Sequence, residues 1–279
     1  MINKYSRNKS FNASILVCAA LLLSFSLPDG DKKNDNINWV ATKSGHIHIQ
    51  TYKGDSISNK PGLVFVLHGD APTSSPNGQY ALAKLIADKN KNVIAIGILR
   101  PGYTDADNNT SEGMKGLAVG DNYTADRIKA IAEVIEELKK KYNPGHTVLI
   151  GHSGGAAIAA DLVALYPGLV NSAVLVSGPF YVQEWRSYML TKENSSPQWS
   201  MGVSSISPDQ VADKISDSTK IVIVSGDQDS VVPHIYSVNY YNYLISKNKL
   251  ASLITVPHRG HQILFDNSVL KSVGALIKQ

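Results

Sequence analysis

Residues 151–155, with the sequence Gly-His-Ser-Gly-Gly, constrain the fold more than any other segment because they separate two stretches of opposite character. Residues 147–150 are β-branched and aliphatic and favour a strand, whereas the alanine-rich residues 156–160 favour a helix. Glycines two positions before and after Ser153 allow a sharp turn and close packing of strand against helix. The pattern predicts a turn that presents the Ser153 hydroxyl as a nucleophile at the positive end of a helix. A glycine-rich turn without chemistry is the alternative.

The first residues have the features of a secretory signal. Three basic residues precede an apolar run at 15–25, which is too short to cross a membrane comfortably. Small residues just before position 27 fit a signal-peptidase site. We therefore predict a signal peptide over 1–26, a polar linker over 27–38, and export to the periplasm or the medium. An uncleaved leader that anchors the chain to a membrane is the alternative.

Charge and cysteine content exclude several classes of function. The formal net charge of +4 falls to +1 without the leader, which contains three basic and no acidic residues. No basic stripe then remains for nucleic acid or for an anionic membrane surface. The only cysteine, Cys18, lies in the leader, so a hydrophobic core and not disulfides must stabilise the exported part. Residues 39–279 are enough to form a single domain with one large hydrophobic core.

Strand and helix patterns alternate along this domain. An antiparallel hairpin is predicted over 39–52, and the buried strands that follow are predicted at 63–67, 93–99, 147–150, 173–177, 221–225 and 250–256. Helices are predicted at 80–89, 124–142, 154–166, 234–247 and 266–277. The alternation predicts an α/β fold, a mostly parallel, doubly wound sheet of about eight strands with helices on both faces.

Ligands of such sheets bind where the strands end, and the loops that follow the last two strands contain candidate acid and base side chains. The loop after 221–225 contains Asp229, which we predict to be an orienting acid, and Asp227, which more naturally satisfies backbone amides in the turn. The loop after the last strand contains His261, the predicted base, and His258, a structural or surface histidine. A neutral imidazole can take a serine proton when a carboxylate fixes its tautomer. Two histidines without a cysteine or carboxylate cluster do not indicate a metal site.

The chain order of Ser153, Asp229 and His261, with the glycine-flanked serine and the doubly covered sheet, resembles the α/β-hydrolase superfamily over nearly the whole domain. The resemblance implies that Ser153 is the nucleophile, Asp229 the acid and His261 the base of a triad. It also implies the fold predicted above.

Residues 68–70, with the sequence His-Gly-Asp, look like the oxyanion loop of this superfamily. The resemblance implies that the backbone N–H groups of Asp70 and Gly154 stabilise the oxyanion. The Asp70 carboxylate would repel that charge unless it is turned away or paired. Arg100 follows the neighbouring strand, so we predict an Asp70–Arg100 pair; two solvated loop charges are the alternative. An unpaired Asp70 could hold a substrate amine, as in an aminopeptidase.

Between residues 179 and 219 the sequence no longer alternates between strand and helix patterns. In the resembled superfamily, an insertion at this point forms a cap over the active site. Its aromatic side chains, including Trp185 and Trp199, would form an apolar substrate pocket. Tyr103, near the start of the long loop 100–122, would add another wall. Aromatic residues that only attach the cap to the core are the alternative.

The resemblance implies an enzyme that acts on a small molecule without a cofactor or metal. We predict an exported serine hydrolase that cleaves a carboxylic ester through an acyl-enzyme. A serine peptidase or aminopeptidase uses the same parts, and a non-catalytic exported binding protein is the alternative of another class.

The remaining histidines have simpler interpretations. His46 and His48 lie two residues apart on one face of the predicted hairpin, so we predict surface positions for both. His152 precedes Ser153, and the turn is predicted to point its ring away from the site.

Overall fold

The computed structural model describes residues 38–72, 74–192 and 196–278. The predicted signal peptide, residues 1–26, and the predicted linker up to residue 37 lie outside the described residues. Across the described ranges, none of the helices combines the length and the apolar character that a membrane span needs.

Within the described residues, eight strands form one sheet. They are β1 (Trp39–Thr42), β2 (Gly45–Lys53), β3 (Gly62–Leu67), β4 (Val93–Ile98), β5 (His146–His152), β6 (Ser172–Val176), β7 (Lys220–Gly226) and β8 (Ala251–Val256). Their spatial order is β1-β2-β4-β3-β5-β6-β7-β8, with β2 antiparallel to both of its neighbours and all other pairs parallel. The predicted mostly parallel sheet of about eight strands is confirmed.

The parallel register brings the ends of the central strands to one edge. Leu67 at the end of β3 pairs with Ile98 at the end of β4 and with Gly151 near the end of β5. Gly226 at the end of β7 likewise pairs with Val256 of β8. The loops that follow these strands, which hold the predicted site residues, therefore leave the sheet on the same side.

Helices cover both faces of the sheet. The described helices are α1 (Gly78–Lys89), α2 (Ala125–Tyr142), α3 (Gly154–Leu165), α4 (Val182–Leu190), α5 (Pro208–Val211), α6 (His234–Ser246) and α7 (Asn267–Ile277). Alternate side chains of β3 explain the two layers: Phe65 packs in the cluster that contains α2, α3 and α6 residues, and Val64 and Val66 pack in the cluster that contains α1 and α7 residues. A continuous apolar strand thus buries side chains on both faces.

Two long connections at the carboxyl edge of the sheet do not consist of a single helix between two strands. The segment after β4 is held by turns and by an isolated bridge between Thr104 and Thr110. The segment between β6 and β7 contains α4, α5 and two short 3₁₀ helices, at Pro197–Ser200 and Ala212–Lys214. These two connections stand beside the loops that carry the predicted chemistry.

The predicted surface position of His48 is wrong. His48 is 3% exposed, and its Nδ1 lies 2.9 Å from the Tyr80 hydroxyl and 3.2 Å from Asp105 Oδ2. The cause is tertiary, because β2 is an inner strand and Asp105, from the long loop after β4, covers it. His46, two residues earlier, is exposed as predicted and contacts Glu112.

Candidate active site

Ser153 occupies a strained turn between β5 and α3. Its backbone has φ 54° and ψ −123°, a conformation that L residues rarely adopt and that costs of the order of 1–3 kcal/mol. The flanking glycines are required by close contacts: a Cβ at position 151 would lie 2.1 Å from the Gly155 carbonyl oxygen, and a Cβ at position 155 would lie 2.4 Å from the His68 carbonyl oxygen. The Ser153 N–H donates to Val176 O of β6 at 2.8 Å, which fixes the turn on the sheet.

Asp229 and His261 form a hydrogen-bonded pair. His261 Nδ1 lies 2.8 Å from Asp229 Oδ2, and the Asp229 side chain is fully buried. The other oxygen, Oδ1, accepts the backbone N–H groups of Val231 and Val232 at 2.9 and 2.8 Å. An ionised carboxylate only accepts hydrogen bonds, so this pairing places the ring proton on Nδ1 and leaves Nε2 able to take a proton.

The two carboxylates of this loop have different surroundings. Asp227 is exposed, and its backbone N–H donates to Val256 O at 3.2 Å. His258 is also exposed, with a positive φ of 56°, and does not pair with either carboxylate among the described contacts. The structure therefore brings Asp229 and His261 together and leaves Asp227 and His258 in solvent.

Ser153 and His261 line one cavity of about 600 Å³ at the carboxyl edge of the sheet. The hydrogen bonds of the described residues join His261 to Asp229, and none joins His261 to the Ser153 hydroxyl. In enzymes in general, catalytic hydrogen bonds are often long without substrate and shorten when substrate binds.

His152 lines the same cavity, so the prediction that its ring points away is wrong. Its Nε2 lies 3.1 Å from the His261 carbonyl oxygen, and the two imidazole centroids are 5.1 Å apart. The strand β5 extends through His152 to the sheet edge, where the loop with His261 crosses it. Burial, helped by the neighbouring His261, lowers the pKa of His152 to about 4, so its ring is neutral at pH 7 and supports the backbone of His261.

The low pKa of His152 predicts a loss of stability in acid. In the unfolded chain the ring titrates near 6.5, so its contribution is complete above that pH and is lost as the pH falls from 6.5 towards 4. A shift of this size corresponds to about 3 kcal/mol over the whole window. Urea unfolding at pH 7 and pH 4.5 should show a smaller acid-induced loss for His152→Gln than for wild type. Equal losses of stability in both proteins would contradict the low pKa assigned to His152.

The loop after β3 lies against the turn at Ser153. A Cβ at Gly69 would lie 2.9 Å from the Ser153 Cβ, and a Cβ at Gly154 would lie 2.5 Å from Asp70 Oδ1. Asp70 and Gly154, the predicted oxyanion residues, are therefore neighbours. The Asp70 side chain is packed against the first residue of α3.

Both oxygens of the Asp70 carboxylate have polar partners. Its Oδ1 lies 2.9 Å from Arg100 Nη2 and accepts the Tyr103 hydroxyl at 3.3 Å. Its Oδ2 accepts the Tyr123 hydroxyl at 2.7 Å and the Gly120 N–H at 3.1 Å. The predicted Asp70–Arg100 pair is confirmed, and both side chains are almost completely buried.

His68 joins this network from the first position of the loop. Its Nδ1 donates to Gly69 O at 2.7 Å, and its Nε2 accepts the backbone N–H of Arg100 at 3.0 Å. Burial and the nearby Arg100 charge hold the pKa of His68 well below its usual value. A neutral His68 thus links the ends of β3 and β4 and holds the loop in place.

Trp185 and Trp199 both line the main cavity. The Trp185 ring donates from Nε1 to Val231 O at 2.8 Å, and the two indoles meet edge to face at 5.3 Å. Arg186, which the sequence analysis did not single out, binds the segment together by donating to the carbonyls of Val119, Gln198, Trp199 and Met201. The guanidinium also lies 5.5 Å from the Trp199 ring centre.

Tyr103 is placed differently from the two tryptophans. It is 3% exposed and lies in the wall of a second cavity of about 310 Å³, which adjoins the main one. Its ring packs edge to face against His68 at 4.7 Å, with the Arg100 guanidinium 4.9 Å from the ring centre. Tyr103 therefore contacts the Asp70 network and is absent from the lining of the main cavity among the described residues.

The sheet order, the strained serine and the His–Asp pair define a class of protein, the α/β-hydrolases. The profile of the family described as alpha/beta hydrolase fold matches residues 62–204, which is 143 of the 279 residues. The chain belongs to this family. The matched region includes Ser153 and ends before Asp229 and His261. Comparison with curated protein sequences gives no match.

Solved structures of esterases and peptidases have the same fold. Est1E from Butyrivibrio proteoclasticus, with ferulic acid bound, is 17% identical with a TM-score of 0.65, covering 86% of this chain and 99% of that one. The Pyrococcus furiosus esterase Pf2001 is 17% identical with a TM-score of 0.63, covering 86% and 90%. The Pyrococcus horikoshii acylaminoacyl peptidase is 13% identical with a TM-score of 0.64, covering 86% of this chain and 40% of the peptidase. At these identities the likeness concerns the fold.

Proposed function

We propose that this chain is a serine esterase in which Ser153, His261 and Asp229 act as a triad. The observation that carries the proposal is the buried Asp229–His261 pair, 2.8 Å apart, whose histidine lines the same cavity as the strained Ser153. Strained backbone conformations cluster at active sites, and the strained Ser153 lines the cavity, which favours an active nucleophile over a binding scaffold that has lost catalysis.

The proposed reaction has two halves. The Ser153 oxygen attacks the ester carbonyl while His261 Nε2 takes its proton, and Asp229 stabilises the imidazolium that forms. The C–O bond to the alcohol then breaks, and His261 returns the proton to the leaving alkoxide. In the second half a water molecule, deprotonated by His261, attacks the acyl-enzyme and releases the acid and the Ser153 hydroxyl.

Two backbone N–H groups are proposed to bind the oxyanion, those of Asp70 and Gly154. The packing of Asp70 beside Gly154, at the N-terminus of α3, supports this assignment, since the helix end also favours negative charge. The Asp70 carboxylate does not oppose the oxyanion as a free charge because Arg100 pairs with it.

The substrate is proposed to be a small ester with an apolar part. A cavity of about 600 Å³ lies within the usual range for small-molecule sites, and Trp185, Met189 and Trp199 supply apolar walls. An aminopeptidase that holds the substrate amine on Asp70 is disfavoured, since Arg100, Tyr123 and the Gly120 N–H already occupy that carboxylate.

Export remains part of the proposal. It rests on the basic residues and the short apolar run in the predicted leader, residues 1–26. Sequencing the N-terminus of the protein recovered from its native host tests it, with cleavage after Ser26 as the expected result and an intact leader as the contrary one.

Labelling with a fluorophosphonate probe tests the proposed nucleophile. The probe should phosphonylate wild type with loss of fluoride, and Ser153→Ala should not be labelled, because the activated hydroxyl is gone. Ser177→Ala is the matched control, since Ser177 follows the neighbouring strand β6 with a similar φ of 51° but is fully buried. The control should label like wild type. Labelling of Ser153→Ala would place the nucleophile elsewhere, and an unlabelled wild type would contradict the proposed function.

A further inference from the structure

A side cavity of about 310 Å³ opens beside the main cavity. The two share parts of their walls, namely Asp70, Pro72, Val119 and Gln198. A substrate whose carbonyl lies at Ser153 could therefore extend past these residues into the side cavity. The mechanism proposed above makes no use of this space.

The described residues that line the side cavity include one cation, Lys115, which is exposed to solvent. Lys115 lies in its wall, with Nζ donating to Ala71 O at 3.1 Å and lying 4.8 Å from the Tyr103 ring centre. Among the described residues, the ion pairs include none with Lys115, and the nearby Asp70 is already paired with Arg100. An ammonium group has three donors, so Lys115 retains two for a ligand.

A second donor lies in the same wall. Asn122 is 3% exposed, and its Oδ1 accepts the Gly116 N–H at 2.8 Å, which orients its amide. The hydrogen bonds of the described part of the chain leave the Asn122 NH₂ group without an acceptor. The Tyr103 hydroxyl donates its proton to Asp70 at 3.3 Å, so it has no proton left for a ligand. Two side chains of this cavity, Lys115 and Asn122, therefore have hydrogen-bond donors left for a ligand.

We propose that the side cavity binds a carboxylate of the substrate and that Lys115 determines this specificity. The inference rests on the proposed esterase function and names the substrate class: esters that carry a carboxylate several bonds from the scissile carbonyl. One ammonium and one amide match the charge of a carboxylate, and a doubly charged phosphate would be left half neutralised. Pro72 and Val119, which line both cavities, provide apolar contact for the chain between the two groups.

The test compares two esters of equal size. The para-nitrophenyl half-ester of adipic acid carries the carboxylate, and the para-nitrophenyl ester of adipic acid monoamide is its neutral counterpart. Wild type should have a KM about tenfold lower for the acid, with similar kcat for both. Lys115→Gln should remove this preference by raising KM for the acid alone, and Lys115→Arg should restore most of it.

Lys192→Gln is the matched control. Lys192 also lies over an aromatic ring, 4.6 Å from the centre of Tyr188, and has the same charge, but it lines neither cavity. The Lys192→Gln variant should keep the wild-type preference for the acid over the amide. The proposed carboxylate subsite would be overturned if Lys115→Gln affected both esters equally, or if wild type did not prefer the acid. In either case, turnover of the neutral ester would still support the proposed esterase function. A wild type that hydrolyses neither ester and resists the fluorophosphonate would overturn both proposals.

Discussion

An Asp229→Asn variant is expected to hydrolyse esters about 10⁴-fold more slowly than wild type while remaining folded. The reason lies in the hydrogen bonds of the carboxylate. Oδ1 already accepts the backbone N–H groups of Val231 and Val232, and the amide oxygen of an asparagine would keep those two bonds. Its NH₂ group would then face His261 and donate to Nδ1, which forces the ring proton onto Nε2. A ring with a protonated Nε2 cannot accept the proton of Ser153.

The measurement is kcat for a para-nitrophenyl ester, together with the urea midpoint of unfolding to exclude loss of fold. Asp227→Asn serves as the control because Asp227 belongs to the same turn and is exposed to solvent. It removes the same charge without contact to His261 and should retain wild-type turnover. If Asp227→Asn were the slow variant and Asp229→Asn the active one, the acid would have to be reassigned to residue 227.

The features that sequence could predict are local or follow from neighbouring strands. The turn at Ser153 depends on glycines within two residues of it, and these are visible in the sequence. The Asp70–Arg100 pair could be predicted because each residue lies just beyond the end of one of two adjacent parallel strands, β3 and β4, and Leu67 pairs with Ile98 in their register. Neighbouring parallel strands that end together bring the residues after them together.

The features that sequence missed depend on distant segments. His48 is buried because Asp105, 57 positions later, folds over β2, and the alternation of the hairpin contains no information on that loop. His152 lines the cavity and contacts a backbone carbonyl of the loop at His261, a segment 109 positions later in the chain. Arg186 lies in a segment without clear periodicity, and its partners are carbonyls, which every residue has. No side-chain pattern indicates such a contact.

Replacing Arg100 by methionine is expected to destabilise the protein by about 3–5 kcal/mol, because it leaves the Asp70 carboxylate buried without its cation. Arg100 is 1% exposed and also donates from Nη1 to the His68 carbonyl oxygen at 3.1 Å. Methionine occupies much of the same volume but supplies neither the positive charge nor this hydrogen bond. The free energy of unfolding in urea is the measurement. Lys247→Met, which breaks the exposed Lys247–Asp213 pair, should change that free energy little.

A second substitution separates the pair from the packing around it. The double variant Asp70→Asn and Arg100→Met removes both charges, and it should be more stable than Arg100→Met alone, since the asparagine can still bond to Tyr123. Strictly additive losses would mean that the two charges do not stabilise each other. The coupling matters for function, because the same arginine that neutralises Asp70 holds the loop whose N–H is proposed to bind the oxyanion. Arg100→Met should therefore also label more slowly with the fluorophosphonate at temperatures where it is folded.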